Sequence, residues 1–253
     1  MHNFVFLCIL LTFFLKKRMF CIFLLAKLAN CLNFTWAAVM IDTRFDAAVV
    51  ASISNARHHI PRHIAIYVLT DAQNWHQIKQ VFDDMPNLRI LDRSFDATSV
   101  QAYNELLLSK EFWNLFKEEY ILVFHRDSRF CAYSQQRIER YVGHYDYIGA
   151  PWVSEIAPGV QVGNGGFSLR CRNAMLLCCE SPMLALGLNE DGSMTICLQR
   201  YKMRLPSVEI ASEFAIETVR FSYKTPLAVH KVWHYIKNDH ELARYCPESV
   251  QIL

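Results

Sequence analysis

The sequence predicts an α/β fold in which a central, mostly parallel sheet is flanked by helices. Two observations support this prediction: short apolar runs alternate with stretches of helical periodicity from residue 36 onward, and three of these runs stop at an aspartate. Apolar runs separated by helices are typical of parallel strands that are covered on both faces. We therefore expect residues 36–253 to form a single domain.

The first half of the chain is predicted to alternate strand and helix in order. Buried strands are indicated at 37–44, 63–71, 88–91 and 120–124, because each is a short apolar run that ends at polar or turn-forming residues. Helices are expected between them at 46–58, 72–83, 101–108 and 111–117. The apolar side of the first helix is predicted to be Ala47, Val50, Ala51 and Ser54.

The second half has the same alternation with more glycine and aromatic residues. Residues 144–152 predict an aromatic strand and turn, 162–180 a glycine cluster followed by a strand and a helix, and 189–206 a helix with an acidic start. Two further stretches, 209–219 and 226–235, complete the predicted domain.

Residues 1–35 form a separate hydrophobic segment. Apolar runs at 4–15 and 19–32 flank a basic triplet, and each is shorter than the ~20 residues that cross a bilayer. A signal-anchor, a hairpin lying on a membrane and a non-native extension all stay open. Membrane association through residues 4–32 would favour a lumenal domain, as does the formal glycosylation sequon at 33–35; a cytoplasmic location also fits the chain.

Composition argues against several classes of partner. The 253 residues are 53% hydrophobic and 20% charged, with a formal net charge of +2, so no basic surface for nucleic acid is indicated. The nine cysteines show neither the paired spacing of a zinc site nor a disulfide framework. Most are therefore interpreted as small buried hydrophobic residues, with Cys178 and Cys179 as the clearest case.

The aspartates at the strand ends are the first candidates for a site. Ligands of open α/β sheets bind at the carboxyl ends of the strands, where Asp42, Asp71 and Asp127 are expected. Asp42 and Asp71 also fit as caps of the helices that follow them. Asp127 lies instead in His-Arg-Asp-Ser-Arg, which places two arginines beside it.

Two familiar motifs are excluded by their spacing. His125-Arg126-Asp127 begins like the catalytic loop of protein kinases, but Ala132 stands where that loop needs asparagine, and a lysine-bearing strand and Asp-Phe-Gly are missing from the sequence. A dinucleotide-binding glycine motif counted from Gly163 would need its third glycine at Ser168.

Several blocks together resemble a largely uncharacterised family of glycosyltransferase-like domains of the GT-A type. These blocks span about residues 37–235 and comprise Asp127-Ser128 after an apolar strand, YDYIGAPW, GNGGFSLR, Glu190-Asp191 and the late His230. The resemblance implies a GT-A-like, Rossmann-like fold. It also implies a nucleotide-sugar donor, most simply a UDP-sugar, and a glycan, protein or lipid acceptor.

The resemblance further implies a divalent cation, Mn²⁺ or Mg²⁺, with Asp127 and His230 as its ligands. The physical need is clear, because a cation held by oxygen ligands neutralises a departing diphosphate. Many GT-A enzymes carry Asp-x-Asp, whereas Asp127 has only His125 two residues upstream. Direct binding of the diphosphate by Arg44, Arg126 or Arg129 is therefore an alternative.

Further residues are predicted to bind the nucleotide-sugar. Gly165 and Gly166 would allow close approach of the backbone to a ligand, and Trp152 would offer an apolar face to a sugar ring. Each also has a structural interpretation, as a tight turn or a core residue. The complete predicted set is Thr43, Arg44, Asp71, Asp127, Ser128, Trp152, Asn164, Gly165 and Gly166.

Asp191, and after it Glu190, are the predicted catalytic bases. An inverting transfer needs a carboxylate that accepts the proton of the acceptor hydroxyl, although an acidic pair also favours a helix start through the helix dipole. The resemblance also implies a structural or sugar-orienting role for Glu217.

We therefore predict a hexosyltransferase. A non-catalytic carbohydrate- or nucleotide-binding module with the same fold is the main alternative, and a nucleotidyltransferase is a weaker one.

Overall fold

The computed structural model describes residues 34–92, 99–185, 187–236 and 240–250. The predicted hydrophobic segment, residues 1–35, lies outside the described residues except for Phe34 and Thr35. Within the described ranges, every helix is too short or too polar to cross a bilayer.

The main sheet has six strands in the order β3-β2-β1-β4-β7-β6. The first four pair in parallel, while β7 pairs antiparallel with both β4 and β6. The predicted α/β architecture with a mostly parallel sheet is confirmed. The strands are β1 Trp36–Ile41, β2 Ile66–Thr70, β3 Leu88–Asp92, β4 Tyr120–Phe124, β5 Ser128–Phe130, β6 Tyr147–Pro151, β7 Val162–Cys171, β8 Ala215–Ile216 and β9 Ala228–His230.

Helices flank this sheet, and their apolar side chains pack against it. Residues of β1, β2 and β4 form one core cluster with Trp113, Met175 and Met194. The helices are α1 Ala47–His59, α2 Ala72–Val81, α3 Val100–Leu107, α4 Lys110–Trp113, α5 Arg172–Cys179, α6 Glu190–Arg200, α7 Val208–Phe214, α8 Val232–Tyr235 and α9 His240–Tyr245.

The predicted buried side of α1 was wrong. The residues that α1 buries are Val49, Ser52, Ile53 and Ala56, not the predicted set that begins with Ala47 and Val50. Ser52 is drawn inward because its hydroxyl donates to the carbonyl oxygens of His125 and Ser128, at 3.0 and 3.1 Å. A serine whose hydroxyl is hydrogen-bonded to buried acceptors can occupy a core position. A search for apolar residues alone does not identify such a serine.

The capping interpretation was wrong for Asp42 and correct for Asp71 only in its position. Asp46 caps α1, since its side chain accepts from the amides of Ala48 and Val49. Asp42 pairs with Arg44 instead. Asp71 stands at the N-cap position of α2, but its side chain makes no capping hydrogen bond.

A small second sheet, in the order β5-β9-β8, lies at the end of β4. Its register places Ser128 opposite His230. A disulfide between Cys131 and Cys246 lies in a hydrophobic cluster with Val229 of this sheet. No disulfide was predicted from the cysteine spacing, and this bond corrects that expectation; its partners are 115 residues apart. Cys178 is buried as predicted, whereas Cys179 is half-buried.

Candidate active site

A cleft of about 870 Å³ opens where β1 and β4 end. The amino end of α6 and the central glycines of β7 close its other side. The cleft brings together most of the predicted site, since Asp71 and Ser128 are the predicted residues that do not line it. The predicted residues that do line it are Thr43, Arg44, Asp127, Trp152, Asn164, Gly165, Gly166, Glu190, Asp191 and His230.

The turn after β4 carries His125 and Asp127. It is fixed against β7 because the amide of His125 donates to the carbonyl oxygen of Gly166 at 2.9 Å. The Ser128 hydroxyl donates to the same oxygen at 2.7 Å, and its amide donates to the His125 carbonyl oxygen at 3.0 Å. Ser128 therefore holds the turn in place from beneath the cleft.

Three possible metal ligands meet in this cleft. One side-chain donor atom from each of His125, Asp127 and His230 lies within 4.8 Å of the others. The turn supplies the first two, and β9 supplies His230 because of its pairing with β5. His125 was not predicted as a ligand, although its place two residues before Asp127 was the available signal.

His230 lies close to two carboxylates, yet both of its ring nitrogens and one oxygen of Asp127 remain able to bind a cation. Its Nε2 lies 3.2 Å from Oδ1 of Asp127, and its Nδ1 lies 3.3 Å from Oε1 of Glu217. Neither ring nitrogen, nor Oδ1 of Asp127, makes a hydrogen bond to a described residue. Buried polar atoms in this state are costly, which indicates that a ligand completes them.

A neutral His125 and an ionised Asp127 favour a bound cation, whereas a cation must compete with a proton for the imidazole of His230. Burial, followed by the nearby His230, lowers the pKa of His125 to about 3, so this imidazole is neutral and able to ligate. Burial alone would raise the pKa of Asp127, but His230, His125 and Lys231 outweigh it and hold that pKa well below its ordinary value. Burial disfavours a charged His230, yet Asp127 and Glu217 raise its pKa.

This donor set fits a divalent transition metal. Imidazole ligands are typical of transition-metal sites, whereas Mg²⁺ prefers oxygen ligands. Glu217 lies behind His230 in the place of the carboxylate that commonly orients a ligating histidine. Tyr103, whose hydroxyl is 2.7 Å from Nε2 of His125, orients the second imidazole. Sequence reasoning missed Tyr103.

Gly166 is required by the close approach of His230. A Cβ atom built on Gly166 would overlap the ring atoms of His230. Gly166 was predicted to allow a ligand to approach the backbone closely; in the structure, the group that approaches it is the His230 side chain. Gly165 is similarly confined, because a Cβ there would lie 2.6 Å from Oε1 of Glu190.

Gly166→Ala is expected to push His230 out of the cluster. Overpacking of this kind costs about 1–3 kcal/mol of unfolding free energy, and it should weaken binding of Mn²⁺. Denaturant unfolding and Mn²⁺-dependent thermal shifts would measure both effects. Gly192→Ala, in α6, is the matched control: its Cβ would meet only side chains, the nearest at 3.3 Å, and a helical Gly→Ala change should stabilise the protein. Unchanged Mn²⁺ binding in Gly166→Ala would contradict the assignment.

The arginines near the cleft differ in what they can reach. Arg44 is held by Asp42 through two hydrogen bonds of 2.8 and 2.9 Å while its side chain stays 65% exposed. Arg126 lines the cleft and pairs with Asp46 at 2.7 Å. Arg129 is buried and donates to the carbonyl oxygens of Arg126 and Ser128, so it is an anchor of the turn and does not line the cleft.

Glu190 and Asp191 begin α6 but have different surroundings. Glu190 is buried and paired with the guanidinium of Arg170, at 2.5 and 2.9 Å. Asp191 accepts from the amides of Gly165 and Gly192, at 2.9 and 2.7 Å. Burial, followed by the charge of Glu190, raises the pKa of Asp191 from 3.8 to about 6. A carboxylate with a raised pKa that lines a cleft is typical of a general base.

Trp152 and Asn164 complete the cleft wall. Trp152 is half-buried just after β6, and its amide donates to the carbonyl oxygen of Gln161 at 2.8 Å. The side-chain oxygen of Asn164 accepts from the amide of Gly166 at 3.1 Å. Asn164 thus supports the glycine segment as well as lining the cleft.

Comparison with known proteins supports the fold. A family model described as "Protein of unknown function (DUF5672)" matches residues 86–230. No curated protein matches the chain in sequence. Among solved structures, the bifunctional glycosyltransferase WbbM has a TM-score of 0.51 at 11% identity, over 79% of this chain and 46% of its own.

Two other solved structures are similar at lower scores. Mouse xyloside xylosyltransferase 1 has a TM-score of 0.49 at 10% identity, over 78% of this chain and 97% of its own. The mannosyltransferase PcManGT from Pyrobaculum calidifontis, solved with GDP-Man and Mn²⁺, has a TM-score of 0.47 at 11% identity, over 70% and 56%.

The low identity and partial coverage of these matches mean that they are informative about the fold alone. The chain spans about half the length of WbbM and of PcManGT. At 11% identity to WbbM, likeness shows architecture, and function must be argued from the site. The predicted glycosyltransferase-like fold is confirmed on this basis.

Proposed function

The chain belongs to the family described as "Protein of unknown function (DUF5672)", and we propose that it is a glycosyltransferase that transfers a hexose from a nucleoside-diphosphate sugar to a hydroxyl acceptor. One observation carries the proposal. The His125, Asp127 and His230 group faces the same cleft as the Asp191 carboxylate. Such a cleft offers both a place for diphosphate charge and a base for the acceptor.

The donor side of the proposed site is the group at the ends of β1 and β4. His125, Asp127 and His230 would hold Mn²⁺ in preference to Mg²⁺. When bound, the cation would neutralise the charge that develops on the leaving diphosphate. Arg44 and Arg126 line the cleft nearby and would donate to phosphate oxygens.

Further contacts to the nucleotide-sugar are proposed along the cleft wall. Thr43, Asn164, Gly165, Gly166 and Trp152 line the cleft and would contact the nucleotide-sugar there. Ser128 would act indirectly, by holding the turn. Asp71, at the end of β2, is not among the residues that line the cleft, so a donor contact there depends on the nucleotide extending beyond it.

The acceptor side is proposed to centre on Asp191. Its carboxylate would accept the proton of the acceptor hydroxyl while that oxygen attacks the anomeric carbon, which gives inversion. Glu190 is a weaker candidate, because its ion pair with Arg170 occupies both of its oxygens. The two hydrogen bonds from backbone amides keep Asp191 aimed from the start of α6.

The disulfide favours one of the two locations that the sequence left open. Disulfides persist in oxidising compartments and are rare in the cytosol. The Cys131–Cys246 bond therefore supports a lumenal domain, with membrane association through residues 4–32 as part of the same proposal.

A binding and transfer assay with purified protein tests the function. We expect UDP-sugars, or failing those GDP-sugars, to raise the melting temperature in the presence of Mn²⁺ and to be converted when hydroxyl acceptors are supplied. Asp127→Asn should lower this turnover by at least about 10²-fold, and removal of metal with EDTA should abolish it.

An aspartate outside the cleft provides the control for this assay. Asp83→Asn, which changes an exposed aspartate outside the cleft, should leave turnover unchanged. Saturable binding without transfer to any acceptor would select the non-catalytic binding module instead. Absence of nucleotide-sugar binding, with or without Mn²⁺, would overturn both.

A further inference from the structure

One wall of the cleft contains a buried ion pair between Arg170 and Glu190. Arg170, in β7, has no exposed surface. Its Nη1 and Nη2 donate to the two oxygens of Glu190, at 2.5 and 2.9 Å, and its Nε donates to the hydroxyl of Ser168 at 2.9 Å. The guanidinium lies 4.7 Å from the ring centroid of Tyr147 and 5.8 Å from that of Trp113.

Stability alone is a poor explanation for this arrangement. A buried ion pair is often no more stabilising than well-packed hydrophobic residues, because removing both charges from water costs several kcal/mol. The pair does, however, join two elements that form one wall of the cleft. β7 supplies Arg170, and the first turn of α6 supplies Glu190.

The pair also connects directly to Asp191 through Gly165. The amide of Gly165 donates to Oδ2 of Asp191, while its carbonyl oxygen accepts from the Ser168 hydroxyl at 3.0 Å and lies 3.5 Å from Nη2 of Arg170. Ser168 and Arg170 thus hold the backbone of Gly165 on its carbonyl side, while its amide holds Asp191 on the other. The orientation of Asp191 therefore depends on how the backbone of Gly165 is held.

The charges around Asp191 come from few groups. Glu190 precedes it on α6, Arg170 faces it from β7, and the hydroxyls of Tyr103 on α3 and Tyr147 on β6 lie close enough to interact. Burial raises the pKa of both tyrosines well above the ordinary value, so they stay neutral. Glu190 and Arg170 are thus the charged partners that set the balance.

We propose that Arg170 is a positioning residue for Asp191: by binding both oxygens of Glu190 and the carbonyl oxygen of Gly165, it removes Glu190 from the chemistry and leaves Asp191 as the one carboxylate of this pair that exchanges protons with the cleft. This inference rests on the proposed function for its biological meaning. The arrangement itself can be tested without any substrate.

Two substitutions have opposite expected effects on Asp191. Glu190→Gln keeps the shape of the side chain but removes its negative charge, so Arg170 acts on Asp191 without compensation and the pKa of Asp191 should fall by about one pH unit or more. Arg170→Met leaves Glu190 unpaired beside Asp191, and the pKa of Asp191 should rise. A purely structural role for the ion pair predicts lower stability in both variants without this reversal of sign.

The measurement is a carboxyl NMR titration of the full chain labelled with ¹³C-aspartate. The Asp191 signal is assigned by its loss in Asp191→Asn. The matched control is Asp146→Asn, which breaks another ion pair, that of Arg204 with Asp146 at 2.7 Å, and should leave the Asp191 titration unchanged. If Arg170→Met does not fold, Glu190→Gln still gives the sign.

The outcomes separate this inference from the proposed function. An Asp191 titration that is unmoved in Glu190→Gln, or that moves equally in Asp146→Asn, overturns the positioning role, whether or not the protein transfers sugar. A shift of the expected sign supports it even if no nucleotide-sugar is bound. If transfer is found, the acidic limb of its pH–rate profile should move with the NMR titration in each variant.

Discussion

Asp191→Asn is expected to lower sugar transfer by about 10²- to 10⁴-fold, the usual contribution of a general base. Asparagine has nearly the same shape and can still accept one of the two amide hydrogen bonds, but it cannot take a proton from the acceptor. Because the pKa of Asp191 is raised to about 6, wild-type turnover should fall tenfold for each pH unit below that value and level off above it. The acidic limb should disappear in the variant. Steady-state rates between pH 4.5 and 8.5, at saturating Mn²⁺, measure this.

The same substitution has a signature in stability. The pKa of Asp191 is higher in the folded protein, about 6, than its ordinary value of 3.8, so folding favours the protonated form. The stability from this group is therefore fully present below pH 3.8 and is lost as the pH rises to about 6. The difference corresponds to about 3 kcal/mol.

Denaturant unfolding at pH 4 to 8 would show this difference. The variant should lack the loss seen in the wild type, so the gap between the two curves should shift in its favour as the pH rises. Parallel curves would mean that Asp191 is not the buried, titrating carboxylate of the cleft. A normal rate in Asp191→Asn would remove it from the chemistry.

Loss of the Cys131–Cys246 disulfide is expected to destabilise the protein by about 2–5 kcal/mol. The bond closes a loop between residues 115 apart, so its removal restores much conformational freedom to the unfolded chain. Cys131 also continues β5, and its amide donates to the carbonyl oxygen of Leu227 just before β9. Loosening this region should weaken Mn²⁺ binding, because β9 carries His230.

Cys131→Ser with Cys246→Ser, compared with the wild type before and after reduction by dithiothreitol, tests this expectation. Unfolding in urea gives the stability, and thermal shifts with Mn²⁺ give the affinity. Cys171→Ser is the control, since Cys171 is half-buried and has a free thiol. A reduced wild type within about 0.5 kcal/mol of the oxidised protein, the range of neutral surface changes, would contradict the assigned role.

Local patterns in the sequence were sufficient to predict the sheet and the residues at its edge. Apolar runs separated by helices fixed the α/β class, because a buried strand must be apolar on both faces. Asp127 followed from its place directly after β4. The antiparallel direction of β7 could not be predicted from the sequence, because the residues of one apolar strand do not indicate the direction of the strand beside it.

Charge balance in the site could not be inferred from residue types. Glu190 and Asp191 are adjacent acidic residues in the sequence, and only the position of Arg170 distinguishes them. Likewise, His125 became a candidate ligand only when the β5–β9 pairing brought His230 beside it. Such contacts join residues that are far apart in the chain, and local periodicity does not encode them.

Residue patterns along the chain were enough to locate the strands of the main sheet and the polar side chains that follow them, because burial and chain geometry act on neighbouring residues. Which of those side chains share a charge, a hydrogen bond or a disulfide followed only from the packing of distant segments. The difference is one of range: hydrophobic patterning is local along the chain, whereas the pKa of a carboxylate and the ligand set of a cation depend on groups that packing brings within a few ångströms.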